Sequence, residues 1–204
     1  MQSKQCYGSG ECLYFNGRSG WSRGSPSVIQ GMTEQQVEGL IRCIAEIHAI
    51  SLSIPNSQEV LEQLKWNCTL DQEDGQTKNS VMENLLKLPV DYFKRNKEAL
   101  LKVVSQNEIM IYEVHKHFNT PAVLCHGDFW ANNIIFSFQD ENTKEIGSEV
   151  YALLDWQFAH PSTGLIDVLR CILIGVNASV KLRCLEGWIE LYFKSSVLAA
   201  KNSA

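Results

Sequence analysis

This sequence has no basic excess, no long apolar run and no paired cysteine motif, and each absence removes a class of function. Its 18 Lys and Arg stand against 23 Asp and Glu, a net charge of −5, so it offers no electrostatic footprint for nucleic acid or an anionic membrane. No apolar stretch reaches the roughly 20 residues that cross a bilayer. Residues 1–30 contain nothing like the apolar core of a secretory signal. The seven cysteines (Cys6, Cys12, Cys43, Cys68, Cys125, Cys171 and Cys184) are odd in number, scattered and without a C-x-x-C pair. That usage argues against a zinc site and fits reduced thiols in the cytoplasm. No internal repeat is present, and 204 residues that are 45% hydrophobic can bury one sizeable core.

What is present is concentrated in two segments, CHGDFWANNIIF from Cys125 to Phe136 and YALLDWQFAH from Tyr151 to His160. They set a carboxylate (Asp128), a carboxamide (Asn133) and a second carboxylate (Asp155) in the order that a phosphoryl-transfer site uses. Such a site needs a carboxylate to orient the attacking hydroxyl and take its proton, and hard oxygen ligands to hold Mg²⁺ on nucleotide phosphates. Asp128 suits the first task, Asn133 and Asp155 the second. The apolar runs Ile134–Phe138 and Val150–Leu154 flank a polar stretch, Gln139–Glu149, that contains Gly147, which predicts a hairpin. Asn133 then starts one strand and Asp155 ends the next, at the same open end.

The H-G-D-x-x-x-x-N loop, the strand ending Asp155-Trp156-Gln157 and the later Gly164-Leu165-Ile166-Asp167 resemble the aminoglycoside phosphotransferase and choline kinase-like group. Within it they look most like the ecdysteroid kinase-like branch, also described as CHK kinase-like. The resemblance reaches back to Gly31-Met32-Thr33 and a helix ending Ile47-His48-Ala49, so it covers residues 31–204. It implies an α+β, mainly helical fold equivalent to the C-terminal lobe of a protein kinase, with the hairpin carrying the site. It further implies ATP and Mg²⁺ as cofactors, a small-molecule hydroxyl substrate, Asp128 as catalytic base, and Asn133 and Asp155 as magnesium ligands. His126 and Asp167 are then braces of the catalytic loop.

Plainer roles stay open for each. Asp128 could cap a loop, Asn133 could be a turn amide with Asn132 as the functional neighbour, and Asp167 could be a first-turn acid favoured by the helix dipole. Trp130, Trp156 and Phe158 suit core packing or a wall against substrate.

A complete kinase of this kind also needs a β-lobe with a phosphate-covering glycine loop and a strand lysine. Gly8-Ser9-Gly10 opens such a loop, but Leu13 stands where the third glycine belongs, and no apolar strand bearing a lysine follows. Residues 1–30 are rich in glycine and serine with scattered hydrophobes, and are expected to be a disordered or unrelated leader. The chain is therefore expected to be a kinase-like lobe without its nucleotide-binding partner lobe, with little activity alone. Two alternatives accompany this: a noncatalytic binding module on the same scaffold, and a metal-dependent hydrolase using His126, Asp128, Asp155 and His160. A Cys125-His126 nucleophile pair is disfavoured because adjacent extended residues point apart.

Elsewhere the pattern is helical. Thr33-Glu34-Gln35-Gln36 is a capping box ahead of Val37, Leu40, Ile41, Ile44 and Ile47 at helical spacing, with His48 expected to be buried and hydrogen-bonded. Pro55 ends that helix, Asp71–Asn79 is a polar loop, and Ser80-Val81-Met82-Glu83 offers a second cap. Residues 91–118 should form one or two amphipathic helices. Leu165–Val176 should be a helix buried on nearly all sides, and a last helix should span Ala178–Leu198.

Overall fold

Thr33 and Gln36 start the scaffold. Thr33 Oγ1 accepts from the Gln36 amide and Gln36 Oε1 from the Thr33 amide, the reciprocal box that the pattern predicts. The structure is a computed structural model that describes residues 23–26, 31–64, 87, 91–105, 109–140 and 142–202. In chain order its elements are β1 (Arg23–Gly24), α1 (Glu34–Ser53), α2 (Ser57–Leu64), α3 (Asp91–Arg95), α4 (Lys97–Ser105), a π turn (Ile109–Glu113), α5 (Val114–His117), β2 (Val123–Cys125), β3 (Ile134–Asp140), β4 (Glu145–Leu153), β5 (His160–Ser162), α6 (Leu165–Gly175) and α7 (Ala178–Asn202). Single 3-10 turns lie at Ala131–Asn133 and Trp156–Phe158. The result is a helix-rich α+β arrangement, in agreement with the expected class.

The long helix α1 buries Val37, Leu40, Ile41, Ile44, His48 and Ala49, a stripe at spacings of three and four. It runs a turn past Ala49 and stops at Ile54, whose extended backbone is what the following Pro55 favours. On one side it packs along α7, and on the other against β4, where a Cβ on Gly39 would lie 2.2 Å from the Ser148 carbonyl oxygen. Only a residue without a side chain permits that approach. Phe136 and Ile134, two apart on β3 and fully buried, face the same core as Ile172, Val168 and Trp188.

β1, β3 and β4 form an antiparallel sheet in the order β1-β3-β4, and β2 pairs with β5 in a second, two-stranded sheet. The predicted hairpin is present, with a shorter turn than expected. β3 extends to Asp140 and β4 begins at Glu145, so most of the polar stretch Gln139–Glu149 is strand. The polarity marks a solvent-facing ladder, irregular in register, and not a loop. Asp140 Oδ1 closes the turn by accepting from the amides of Asn142 and Thr143.

Two further expectations change, and two features were not anticipated. Arg23 and Gly24 pair with Ser137 and Phe136, and Ser25 Oγ donates to the Ile134 carbonyl, contacts that a division at residue 31 does not anticipate. Residues 91–118 break into α3, α4, the π turn and α5 instead of one or two helices. α6 is not buried all round, since Leu173 is 60% and Ile174 49% exposed. The short helix α2 follows Pro55 and was not indicated by the pattern. Gly8-Ser9-Gly10, the loop at 71–79 and the cap at 80–83 lie outside the described residues. Among the described residues no helix is long and apolar enough to cross a membrane.

Candidate functional site

Asp167 is the fixed point of the site. It lies in the first turn of α6 and is fully buried, where a carboxylate persists only if its oxygens are satisfied. Oδ2 accepts the His126 amide at 2.6 Å, Oδ1 the Gly127 amide at 3.0 Å, and the His48 Nε2 atom stands 3.3 Å from Oδ2. Two consecutive backbone N–H groups held by one carboxylate fix the direction in which the following residue, Asp128, leaves the loop. The first-turn-acid role does not describe a residue so deeply engaged. His48 is buried, as expected, and its Nδ1 meets the Tyr192 hydroxyl at 2.9 Å. Burial pushes the Tyr192 pKa up, helped by nearby Cys125 and Asp167, so the hydroxyl keeps its proton for that contact.

His126 has both ring nitrogens in use. Its Nε2 faces the Leu154 carbonyl at 2.8 Å and so must carry the hydrogen, while Nδ1 receives the Asp128 amide at 3.3 Å. The ring thus ties the loop to the end of β4, and Trp156 lies against it with centroids 4.5 Å apart. No lone pair remains for a metal, which removes His126 from the hydrolase ligand set. His160, another member of that set, turns Nδ1 to the Phe158 carbonyl at 2.8 Å and stacks edge-on with Tyr112.

Asp128 is partly buried at the loop's front. Asn133 Nδ2 donates both to its carbonyl oxygen, at 2.9 Å, and to Oδ2, at 3.0 Å. Because both partners only accept, the amide orientation is determined, and Oδ1 of Asn133 is the atom left for a cation. Asn132 is exposed, and the contact belongs to Asn133. Trp130 Nε1 also reaches Asp128 Oδ2, at 3.2 Å. Trp130 and Trp156 each donate an indole N–H within the site, the latter to the Leu153 carbonyl, a bracing role beyond the packing or wall expected from the sequence.

Asp155 follows β4 at the same end. The Leu154 amide donates to the Asn133 carbonyl at 2.8 Å, which sets Asp155 one residue from the point where the hairpin meets the loop. Its backbone is left-handed (φ 63°, ψ 64°), an arrangement that costs a non-glycine residue on the order of 1 kcal/mol and is commonest at functional turns. The side chain is exposed, with Gln157 Nε2 at 3.4 Å. The structure thus joins His126, Asp128, Asn133 and Asp167 by direct hydrogen bonds. Asp155 is joined to them through backbone, and no bond links its carboxylate to Asp128 or Asn133 among the described residues.

Arg170 is the site residue that the motifs missed. Its Nη2 donates to Asp128 Oδ1 at 2.6 Å. The available signal was spacing: three residues after Asp167 on one helix, Arg170 shares its side of the helix.

His48, Cys125 and Asp167 lie within 4.8 Å of one another through potential ligand atoms, all buried. They form a bracing cluster, because Asp167 is filled by N–H donors and the Cys125 thiol donates to the Thr163 carbonyl at 3.4 Å. Burial, and then the charge of Asp167, push the thiol pKa of both Cys125 and Cys171 well up. Nucleophilic chemistry by Cys125 is disfavoured for that reason. At about pH 8 both thiols should be alkylated at least roughly tenfold more slowly in the folded chain than in urea, read by mass spectrometry of iodoacetamide adducts. Equal rates would show that the cluster is open to solvent.

No curated protein matches this sequence. The family model described as the ecdysteroid kinase-like family matches residues 27–202, the stretch that contains every element of the site, and the chain belongs to that family.

Proposed function

We propose that this chain carries the catalytic half of an ATP-dependent phosphotransferase acting on a small-molecule hydroxyl, with Asp128 as base and Asn133 and Asp155 as magnesium ligands. The observation that carries it is the double hydrogen bond from Asn133 to Asp128 on a loop clamped from behind by Asp167. A base that must receive a proton in a set direction gains from being held before substrate arrives. Asp128 Oδ2 accepts from both Trp130 and Asn133 and Oδ1 from Arg170 alone, so Oδ1 is the oxygen that would orient the acceptor hydroxyl and take its proton once the Arg170 contact loosens.

The donor set suits Mg²⁺, since Asn133 Oδ1 and the exposed Asp155 carboxylate are hard oxygens, on residues whose backbones are linked by the Leu154 amide donating to the Asn133 carbonyl. Magnesium held there would neutralise charge on the nucleotide phosphates. Asp155 has a left-handed backbone and an exposed side chain, and Gln157 Nε2 lies 3.4 Å from its carboxylate.

Among the described strands none bears a lysine, so this reading includes weak turnover by the isolated chain. The test is nucleotide binding by calorimetry with and without Mg²⁺. Addition of Mg²⁺ should tighten ATP binding by the wild type, and Asp155→Ala should abolish that gain, a loss of roughly tenfold or more. Equal affinity in the two proteins at saturating Mg²⁺ would leave a noncatalytic module as the better description. Rapid ATP turnover by this chain alone would overturn the weak-activity part.

A further inference from the structure

Arg170 and Asp167 share helix α6, so the element that grips His126 and Gly127 from behind also delivers a guanidinium to the front of the loop. The pair Arg170–Asp128 spans 2.6 Å with side chains 43% and 18% exposed. An ion pair this open to water adds little to stability. Its placement is more informative than its strength. Trp130 and Asn133 hold Asp128 Oδ2, and the guanidinium sits on Oδ1, the oxygen left to receive a proton.

Phosphoryl transfer at this position has an electrostatic difficulty. Asp128 and Asp155 are both carboxylates, and the phosphate chain that would approach them is a polyanion. Among the described ion pairs Arg170 is the cation that meets one of these two carboxylates; the others lie on Glu34, Glu38, Glu62, Glu190 and, through His48, Asp167. A guanidinium has five N–H donors in a rigid fork, so one can remain on a carboxylate while others meet phosphate oxygens.

We propose that Arg170 is a phosphate-contacting residue, bridging Asp128 and the phosphoryl group being transferred. The proposal rests on the phosphotransferase reading for where that group stands. In the step it serves, the acceptor oxygen forms a bond to the terminal phosphorus, and the bond from that phosphorus to the bridging oxygen breaks. The electron pair leaves with the nucleoside diphosphate, and the hydroxyl proton passes to Asp128. Negative charge spreads over the phosphoryl oxygens meanwhile, within reach of a cation already bonded to the base. Before substrate arrives the same contact covers the base, and binding of phosphate draws the fork partly away.

Inorganic tripolyphosphate in EDTA isolates this contact from magnesium. The full 204-residue chain should bind it, and Arg170→Ala should weaken binding about tenfold, the loss of one charge-assisted hydrogen bond. Arg170→Lys should fall between them, because it keeps the charge and loses the fork. Arg183→Ala, which removes a surface partner of Glu34, should bind like the wild type. Unchanged binding by Arg170→Ala, or no binding by the wild type, overturns the proposal. The outcome is separable from the magnesium test. If Asp155→Ala loses its Mg²⁺ response while Arg170→Ala is neutral, phosphotransfer stands and the role of Arg170 falls. The reverse pattern keeps the Arg170 contact and removes the magnesium site.

Discussion

Replacing Asp167 by alanine should cost about 4 kcal/mol in urea unfolding, the largest loss expected from any single carboxylate among the described residues. The substitution strands the amides of His126 and Gly127 and the His48 ring N–H that now face its two oxygens. Each buried donor left without a partner costs roughly 1–3 kcal/mol, and water entering the vacated space offsets part of the sum. Small domains have only about 5–15 kcal/mol to lose, so the variant should be close to unfolding at 37 °C. Asp167→Asn is the sharper probe, since it keeps the volume and replaces one accepting oxygen by a donor. It should cost about half as much and speed hydrogen exchange at the His126 and Gly127 amides. A loss below about 1 kcal/mol for the alanine variant would show that the loop is held by something other than this carboxylate.

Gly127→Ala should destabilise the protein by about 3 kcal/mol and weaken any nucleotide binding more than its stability loss explains. Gly127 has φ +82°, and a Cβ there would lie 2.1 Å from the Phe158 carbonyl oxygen. That oxygen cannot simply withdraw, because it receives His160 Nδ1 and sits in the turn closed by the Ala159 amide on the Trp156 carbonyl. The loop must therefore move, and it carries Asp128 with it. Gly187→Ala is the matched control. Nothing lies within 4 Å of a Cβ at that exposed position in α7, so alanine should stabilise by roughly 0.5–1 kcal/mol through helix propensity. Equal unfolding midpoints for Gly127→Ala and the wild type would mean that the close approach to Phe158 is not maintained in solution.

Much of the scaffold was legible because its signals are local. The Thr33 capping box, the stripe from Val37 to His48 and the stop at Pro55 depend on residues within a few positions of one another. They appear as predicted. The hairpin's existence was legible for the same reason, and its length was not. Whether Gln139 and Glu149 lie in strand or turn depends on pairing between β3 and β4, and a one-sided, solvent-facing ladder looks polar in sequence. Helix α6 shows the opposite error. Leu173 and Ile174 suggest burial by composition, yet burial is settled by what the rest of the chain leaves uncovered. Within the site, the order Asp128, Asn133, Asp155 could be read from spacing. Which asparagine meets Asp128, and that Trp130 bonds to it too, could not.

By itself the sequence pointed to the family, to helix α1 and the hairpin, and to Asp128, Asn133, Asp155, His126 and Asp167 as candidates, since these follow from residue type and spacing along the chain, but it did not point to Arg170. Only the tertiary structure decided how they engage. The resemblance implied that Asp167 braces the catalytic loop, but no local pattern encodes that its oxygens take the His126 and Gly127 amides, 41 and 40 positions away, or that Arg170 meets Asp128 across 42. These contacts form because α6 packs behind the loop, where a carboxylate excluded from water must be filled by amide donors and a nearby guanidinium finds the charge in front.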